Sequence, residues 1–377
     1  MKPPLNPLLP GFAGYMQEKA NAVREKAQSS GKPVYDFGIG DPREPTPQFI
    51  RAALANAIPE VSQYPSINGI APLRKAVSAY LERRFQLEVN PETEILPCAG
   101  AKEALFHLPL IALNPARPIC WYPDPSYPVY ERAILFAGGI AKTYPLRAER
   151  KFLPDLNAIP ASEWQKTSIY FDCYPHNPTG AGAPRSHHQK LLALAKEHGF
   201  LVVCDEPYVD LYVGEPPHSA LQLGRENLIV IHSLSKRSGM TGYRSGFMAG
   251  DAEIIRWLRE GRANFGVASQ TFIQHAAIAA WNDDAHVAER REIFALKRAV
   301  LLEHLRSRGL QTSGEGAFYL WVQVPKGETS ETYAAKLATK NILVVAGTQF
   351  GREGEGFIRL AMVPTLADCR AAAQVWA

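Results

Sequence analysis

The sequence has no uninterrupted apolar run near the ~18 residues that a membrane-crossing helix needs, so no helical span is expected. Its early residues are interrupted by Pro3, Pro4, Pro7 and Pro10 where an export signal needs an apolar stretch, and the expected location is cytoplasmic. Only five cysteines are present, Cys98, Cys120, Cys173, Cys204 and Cys369. The number is odd and no pair has CxxC spacing, which argues against a disulfide scaffold or a cysteine-bound zinc and for buried, reduced thiols. Basic residues (41) barely exceed acidic ones (37) and form no block, which weighs against a nucleic-acid partner. A phosphate-binding Walker loop is missing. Gly180-Ala181-Gly182 does not continue to a third glycine, because Arg185 stands there, so the dinucleotide fingerprint fails. Asp36-Phe37-Gly38 spells a kinase tripeptide without the other kinase motifs and is read as chance. The pair His187-His188 falls on a helix with no acidic residue nearby at metal spacing, so solvated surface histidines are expected and no metal site is assigned.

What is present is an ordinary globular composition of 377 residues, 46% hydrophobic and 21% charged, with two domains as the length prior. A helix is expected from Gly14 to about Gln28, ended by Gly31-Lys32-Pro33. From about residue 45 short, continuous apolar runs alternate with helical stretches. The runs are Ile119-Cys-Trp-Tyr, Ser168-Ile-Tyr-Phe, Phe200-Leu-Val-Val-Cys and Leu228-Ile-Val-Ile-His. Continuous runs predict strands buried on both faces, and the alternation predicts a mostly parallel sheet flanked by helices. Ser186–His198 reads as one of those helices, with Gly199 as its stop. After about residue 251 the pattern changes. Asp251–Arg262 and Ser269–Leu305 read as long helices, followed by strand-like Phe318–Val322 and Gly356–Ala361 around helical Thr329–Lys340, a smaller α+β unit. The expected division is 1–44 for an N-terminal arm with part of the small domain, 45–280 for the large domain and 281–377 for the small C-terminal domain.

Polar residues gather just past the strand-like runs, where ligands bind in open α/β sheets. Asn177-Pro178-Thr179-Gly180 follows one run. Asp205-Glu206-Pro207-Tyr208 ends another, 25 residues past Gly180, and Ser233-Leu234-Ser235-Lys236 ends a third, with Arg244 eight residues beyond the lysine. Singly these are a turn, a helix cap and a surface lysine. Their order and spacing are what carry information.

In that order and spacing the sequence resembles the fold-type I, class I aminotransferases that use pyridoxal 5′-phosphate. The likeness runs from Gly38-Ile39-Gly40-Asp41-Pro42 to Phe357-Ile358-Arg359-Leu360. It implies an α/β fold with a large, mostly parallel sheet and a smaller α+β domain. It also assigns roles. Lys236 matches the lysine that forms the Schiff base and carries the proton between substrate and cofactor, which requires a neutral amine and hence a lowered pKa. Asp205 matches the partner of the pyridine nitrogen, and Asn177 and Tyr208 match the partners of the phenolic oxygen. For the phosphate it implies Gly100, Ala101 and Lys102 at a helix N-terminus, Ser233 and Arg244. Ser235 either joins that set or braces the lysine loop. Tyr127 matches the aromatic stacked on the ring. Tyr64 matches a tyrosine that reaches the neighbouring subunit's phosphate, which implies a homodimer with shared active sites. Arg359 matches the two-pronged partner of the substrate α-carboxylate, and Gly40 lies near the same group.

The expected activity is therefore transfer of an amino group between an amino acid and a 2-oxo acid. A C–S lyase on the same scaffold is the alternative chemistry, and a non-catalytic cofactor-binding regulator would need a DNA-binding domain for which the chain leaves no length. Gly40–Pro47 and the Ser233–Ser238 loop resemble N-succinyldiaminopimelate aminotransferases, of diaminopimelate and lysine biosynthesis. Pro123–Pro128, Asp205–Tyr208 and Met240-Thr241-Gly242 lean toward LL-diaminopimelate or aspartate-type enzymes. The expected donor is N-succinyl-LL-2,6-diaminopimelate, with 2-oxoglutarate and glutamate as the other pair. Arg43 or Arg237 would face its distal end. The bland alternatives are a solvated loop residue for Arg43 and a structural ion-pair partner for Arg237.

Overall fold

The structure, a computed structural model, describes residues 6–9, 23–25, 27, 29, 31–314 and 318–376. The helix expected at Gly14–Gln28 lies mostly outside the described residues, of which 23–25 and 27 are helical. A two-residue strand, β1 (Tyr35–Asp36), opens the described fold.

Seven strands form the large sheet: β2 (Ile95–Cys98), β3 (Ile119–Asp124), β4 (Ile140–Pro145), β5 (Thr167–Cys173), β6 (Leu201–Asp205), β7 (Leu228–Ser233) and β8 (Gly246–Gly250). Their spatial order is β2-β8-β7-β6-β5-β3-β4. Strands β4, β3, β5, β6 and β7 run parallel, and β8 is antiparallel to both its neighbours, β7 and β2. Every residue of β5, β6, β7 and β8 is buried. Those strands are continuous apolar runs because helices cover both faces, leaving no solvated side to demand alternation. The helix Arg185–His198 crosses between β5 and β6. Gly199 ends it in the left-handed region, at φ 66°, where a side chain would be strained.

The smaller antiparallel sheet has β9 (Thr312–Ser313), β10 (Tyr319–Gln323), β12 (Val345–Ala346) and β13 (Phe357–Ala361), with β11 (Ile342–Leu343) pairing outside it. Strand β1 pairs in parallel with β11. The following Phe37 donates from its N–H to Leu343 O at 2.8 Å and accepts from Ala361 N–H at 2.8 Å. The early chain is thereby stitched to the C-terminal unit. This fixes the path of Gly38–Asp41 across the ends of the large-sheet strands.

The long helix expected over Ser269–Leu305 is two, Thr271–Trp281 and Ala285–Ser307. The break at Asn282-Asp283-Asp284 has a physical cause. Asp283 Oδ1 accepts from the His286 N–H at 3.0 Å, giving the chain an alternative to continuing the helix. The interruption also frees Ala280 O and Asp283 O to accept from Arg237, at 2.7 and 3.2 Å.

The expectation of solvated histidines at 187 and 188 is overturned. Both are buried in the first turn of Arg185–His198, each with its Nε2 3.1 Å from Asp172 Oδ2 on β5. The acidic partner lies 15 residues upstream, out of reach of any local spacing rule. The five cysteines are free and buried. Among the described residues, no helix is long and apolar enough to cross a membrane.

Candidate active site

The parallel strands β5, β6 and β7 end on the same edge of the sheet, so the segments leaving them converge. Asn177 follows β5, Asp205 closes β6 with Tyr208 just beyond, and Ser233 closes β7 with Lys236 in the next turn. Between β7 and the antiparallel β8 the chain doubles back, carrying Arg244. Together with Gly38–Asp41 from the early chain and Tyr319 and Arg359 from the small sheet, these residues line a cavity of about 590 Å³. Ala101, Lys102, Tyr127, Ser235 and Gln349 complete much of its wall.

Lys236 is buried. Burial pushes its amine down to about 8, opposed by the Asp41 carboxylate and assisted by the Arg359 and Arg244 guanidiniums. Its Nζ donates to Gly40 O. Asp205 is also buried, and burial pushes its carboxyl up to about 7. The hydrogen bond from Tyr130 pulls the other way, and the charge of Glu206 adds to the rise. Tyr130 OH donates to Asp205 Oδ2 at 2.7 Å, whereas Oδ1 is buried with no hydrogen-bond partner among the described residues. An unpaired buried carboxylate oxygen costs about 1–3 kcal/mol, so this one is held ready for a donor from the cavity.

Asn177 bridges two side chains of the cavity wall. Its Nδ2 donates to Tyr208 OH at 3.4 Å, and its Oδ1 accepts from Arg359 Nη1 at 3.0 Å. Arg359 Nη2 donates to Gly38 O at 2.7 Å, and its guanidinium rests on the Tyr319 ring, 4.5 Å from the centroid. Tyr319 OH lies 3.1 Å from Tyr208 OH. Gly40 has no room for a side chain, since a Cβ there would come within 2.7 Å of Tyr319 OH.

The helix Ala101–Ala112 begins at the cavity, with Gly100 as its N-cap at φ 86°. A Cβ on Gly100 would meet Arg244 Nη2 at 2.7 Å, so glycine lets the guanidinium lie against the helix start. Arg244 itself holds a left-handed backbone, φ 54°, a strained choice for a non-glycine residue. A cation, a helix N-terminus and the Ser233 hydroxyl make an anion cradle.

Three sequence-derived residues fall elsewhere. Arg237 points away from the cavity. It is buried, donating to Asp210 Oδ2 at 2.9 Å and Asp284 Oδ1 at 2.6 Å, and so belongs to a structural ion-pair network. Arg43 is exposed and borders a second cavity of about 440 Å³ with Arg24, Lys32 and Asp36. Its neighbour Glu44 is the residue turned inward, paired with Lys297. Tyr64 is fully exposed on the single chain.

Sequence reasoning missed Tyr130, Tyr319, Gly38 and the pair Arg24–Asp36. Arg24 donates from Nε and Nη2 to Asp36 Oδ2 at 2.8 and 2.6 Å, and both residues line the main cavity. No local motif marks them. Tyr319 was legible only as one residue of a strand, and the contact between Arg24 and Asp36 depends on the fold of the early chain.

A lysine with a lowered pKa, a buried carboxylate with a free oxygen, an anion cradle and an arginine at the cavity wall define a site for an amine-reactive, phosphate-bearing cofactor. Residues 32–375 match the family described as aminotransferase class I and II, and the chain belongs to it. Over 360 residues it is 36% identical to LL-diaminopimelate aminotransferase of Aquifex aeolicus, covering 93% of each chain. In structure it is similar to substrate-bound BacF of Bacillus subtilis, with TM-score 0.94, 28% identity and coverage of 100% and 98%. It is also similar to a probable N-succinyldiaminopimelate aminotransferase of Thermus thermophilus, with TM-score 0.88, 27% identity and coverage of 94% and 97%. The protein is a fold-type I transaminase dependent on pyridoxal 5′-phosphate. The residues present fit that group: the orphaned Asp205 Oδ1 suits its ring nitrogen and the Gly100–Arg244 cradle suits its phosphate.

Proposed function

We propose that the amino donor is a 2,6-diaminopimelate, that its free LL form rather than the N-succinyl derivative is preferred, and that 2-oxoglutarate and glutamate form the other pair. The observation that carries this reading is the Arg24–Asp36 pair on the cavity wall. The far end of free diaminopimelate carries an ammonium beside a carboxylate, and the wall offers a carboxylate beside a guanidinium. A succinylated end would present two carboxylates and an amide, leaving Asp36 without a cationic partner from the substrate. The 36% relative named for the free diamine supports the same choice. The N-succinyl reading keeps the Gly40–Pro47 stretch and the Thermus neighbour in its favour.

Pyridoxal phosphate, when bound, supplies the electron sink that makes the substrate Cα–H acidic. The rest falls to this chain. Lys236 would hold the cofactor at its carbonyl carbon and, once the substrate amine has displaced it, would move a proton at the substrate Cα, for which an amine brought down to about 8 is suited. Asp205 would hold the proton on the ring nitrogen, while Tyr130 fixes its other oxygen. Asn177 and Tyr208 would hold the ring hydroxyl, and Tyr127 would support the ring. Gly100, Ala101, Lys102, Ser233, Ser235 and Arg244 would hold the phosphate. Arg359 and Gly40 orient the α-carboxylate. Tyr64 serves the neighbouring subunit of a homodimer, which accounts for an aromatic ring left wholly in solvent. The enzyme works in the cytoplasm.

A donor screen decides the substrate: LL-diaminopimelate, its N-succinyl derivative, glutamate, aspartate and phenylalanine, each followed by the 2-oxo acid formed. LL-diaminopimelate should give the highest kcat/KM. Arg24→Ala should lower that value tenfold or more, as expected for losing a charged hydrogen bond of ~1.5–3 kcal/mol. A clear preference for the succinylated donor, unaffected by Arg24→Ala, would return the assignment to the N-succinyl enzyme. Mixing Lys236→Ala with Tyr64→Ala subunits tests the shared site: activity above either parent after verified exchange is expected, and none would remove Tyr64 from it.

A further inference from the structure

The buried histidine pair takes no part in the transaminase chemistry, and its geometry is unusual for a structural hydrogen-bond cluster. His187 Nε2 and His188 Nε2 both lie 3.1 Å from one atom, Asp172 Oδ2, and the three atoms are within 4.8 Å of one another. The side chains are 6%, 5% and 0% exposed for His187, His188 and Asp172. The other carboxylate oxygen, Asp172 Oδ1, is buried and has no hydrogen-bond partner among the described residues. Two donors thus crowd one oxygen while its twin is left dry, an arrangement that forfeits hydrogen bonding a buried carboxylate would otherwise recover. Ligand atoms each ~2.0–2.1 Å from a tetrahedral zinc stand about 3.3 Å apart, close to the spacing seen here.

The remaining ring nitrogen of His188 has the right neighbour. His188 Nδ1 is 2.9 Å from Nε2 of the half-buried His218. A ligating histidine characteristically engages its second nitrogen in this way, which fixes the ring and the tautomer. We propose that Asp172, His187 and His188 form a site for one divalent transition-metal ion of the zinc type, with His218 as the outer partner that orients His188. Two imidazoles with one carboxylate favour zinc, cobalt or nickel over magnesium or calcium, which take all-oxygen sets.

The position gives the ion a task. Asp172 lies in β5, five residues ahead of Asn177, and the histidines open the helix that follows the Asn177 loop. An ion there clasps both ends of the segment carrying Asn177, the residue that touches Tyr208 and Arg359. Its role is to position, and none of its ligands lines the cavity.

The test uses holoenzyme stripped with a chelator, dialysed and titrated with cobalt(II), then zinc. The expected result is one cobalt per chain, with difference absorption bands of a tetrahedral nitrogen–oxygen site, displaced by zinc. His188→Gln and Asp172→Asn should abolish that binding, and His218→Gln should weaken it about 10–100-fold. Substitution of the exposed His275 by Gln should leave it intact. If a ligand variant does not fold, the wild type decides alone, because its Tm must rise with free zinc when the ion binds only the folded state. Absence of a stoichiometric ion, binding that survives both ligand substitutions, or a Tm indifferent to zinc each overturns the site.

Discussion

Lys236 and Arg237 are neighbours in sequence and opposites in environment. Arg237 has four acceptors: Asp210 Oδ2, Ala280 O, Asp283 O and Asp284 Oδ1. It also sits over the Tyr80 and Trp281 rings, 4.9 and 5.1 Å from their centroids. Asp210 in turn accepts from Tyr80 OH at 2.8 Å and Arg84 Nε at 3.0 Å. Burial acts to raise the Asp210 carboxyl, yet the Arg237 and Arg84 guanidiniums hold it below its usual value. On the cavity side the balance reverses. Lys236 is depressed, Asp205 is raised, and Asp205 Oδ1 and Arg359 Nε have no partner among the described residues. A saturated network spends its charges on holding elements together. An unsaturated one keeps them for a ligand, at a cost to the free protein.

The largest effect should come from breaking the saturated side. Arg237→Ala leaves Asp210 buried without its main partner, and loss of one member of such a pair costs about 3–5 kcal/mol. Urea unfolding of the variant should show this drop, with the donor preference of the remaining folded enzyme unchanged. A variant of normal stability that discriminates poorly against neutral donors would instead put Arg237 at the substrate.

Next is the unsaturated side. Asp205→Ala removes a preorganised charge from the reaction centre, and such losses run to about a hundredfold or more in turnover. Borohydride treatment and peptide mapping should still place the cofactor on Lys236 in this variant. Near-normal turnover would mean that another group holds the ring proton. Label on a different lysine would dissolve the contrast between residues 236 and 237.

The same contrast explains how far the sequence could be read. Strands β3, β5, β6 and β7 were legible because burial on both faces writes itself as continuous apolar runs. Their ends, with Asn177, Asp205 and Lys236, were legible because a parallel sheet brings strand ends to one edge. Residues whose role depends on contacts across the fold left no such trace. Tyr130 reaches Asp205 over 75 positions, and Tyr319 reaches Tyr208 over 111. Arg237 was ambiguous for the same reason: whether a cation beside the lysine faces substrate or Asp210 is decided by a helix break some 45 residues away. The histidine pair misled in the opposite direction, because its acidic partner sits on a strand and not on its own helix.

The smallest effect tests what the unsaturated carboxylate costs the protein before the cofactor arrives. The Asp205 carboxyl is raised to about 7 in the folded chain, first by burial, against ~3.9 for a free aspartate. A raised acid binds its proton more tightly folded than unfolded. Its contribution is therefore fully present below ~3.9 and is lost progressively as pH rises through about 7. Asparagine carries no charge to strand, so cofactor-free Asp205→Asn should match or trail the wild type at pH 5 and exceed it at pH 8. At ~1.36 kcal/mol per pKa unit the nominal gap is a few kcal/mol, and water entering the open cavity should reduce it to about 1–2 kcal/mol. Thermal unfolding of both cofactor-free proteins from pH 5 to 8 reads the crossing directly. In the holoenzyme the order at pH 8 should invert, because the ring nitrogen then partners the wild-type carboxylate. Parallel pH curves for the two cofactor-free proteins would mean that Asp205 is already satisfied without a ligand, and the contrast with Asp210 would fail.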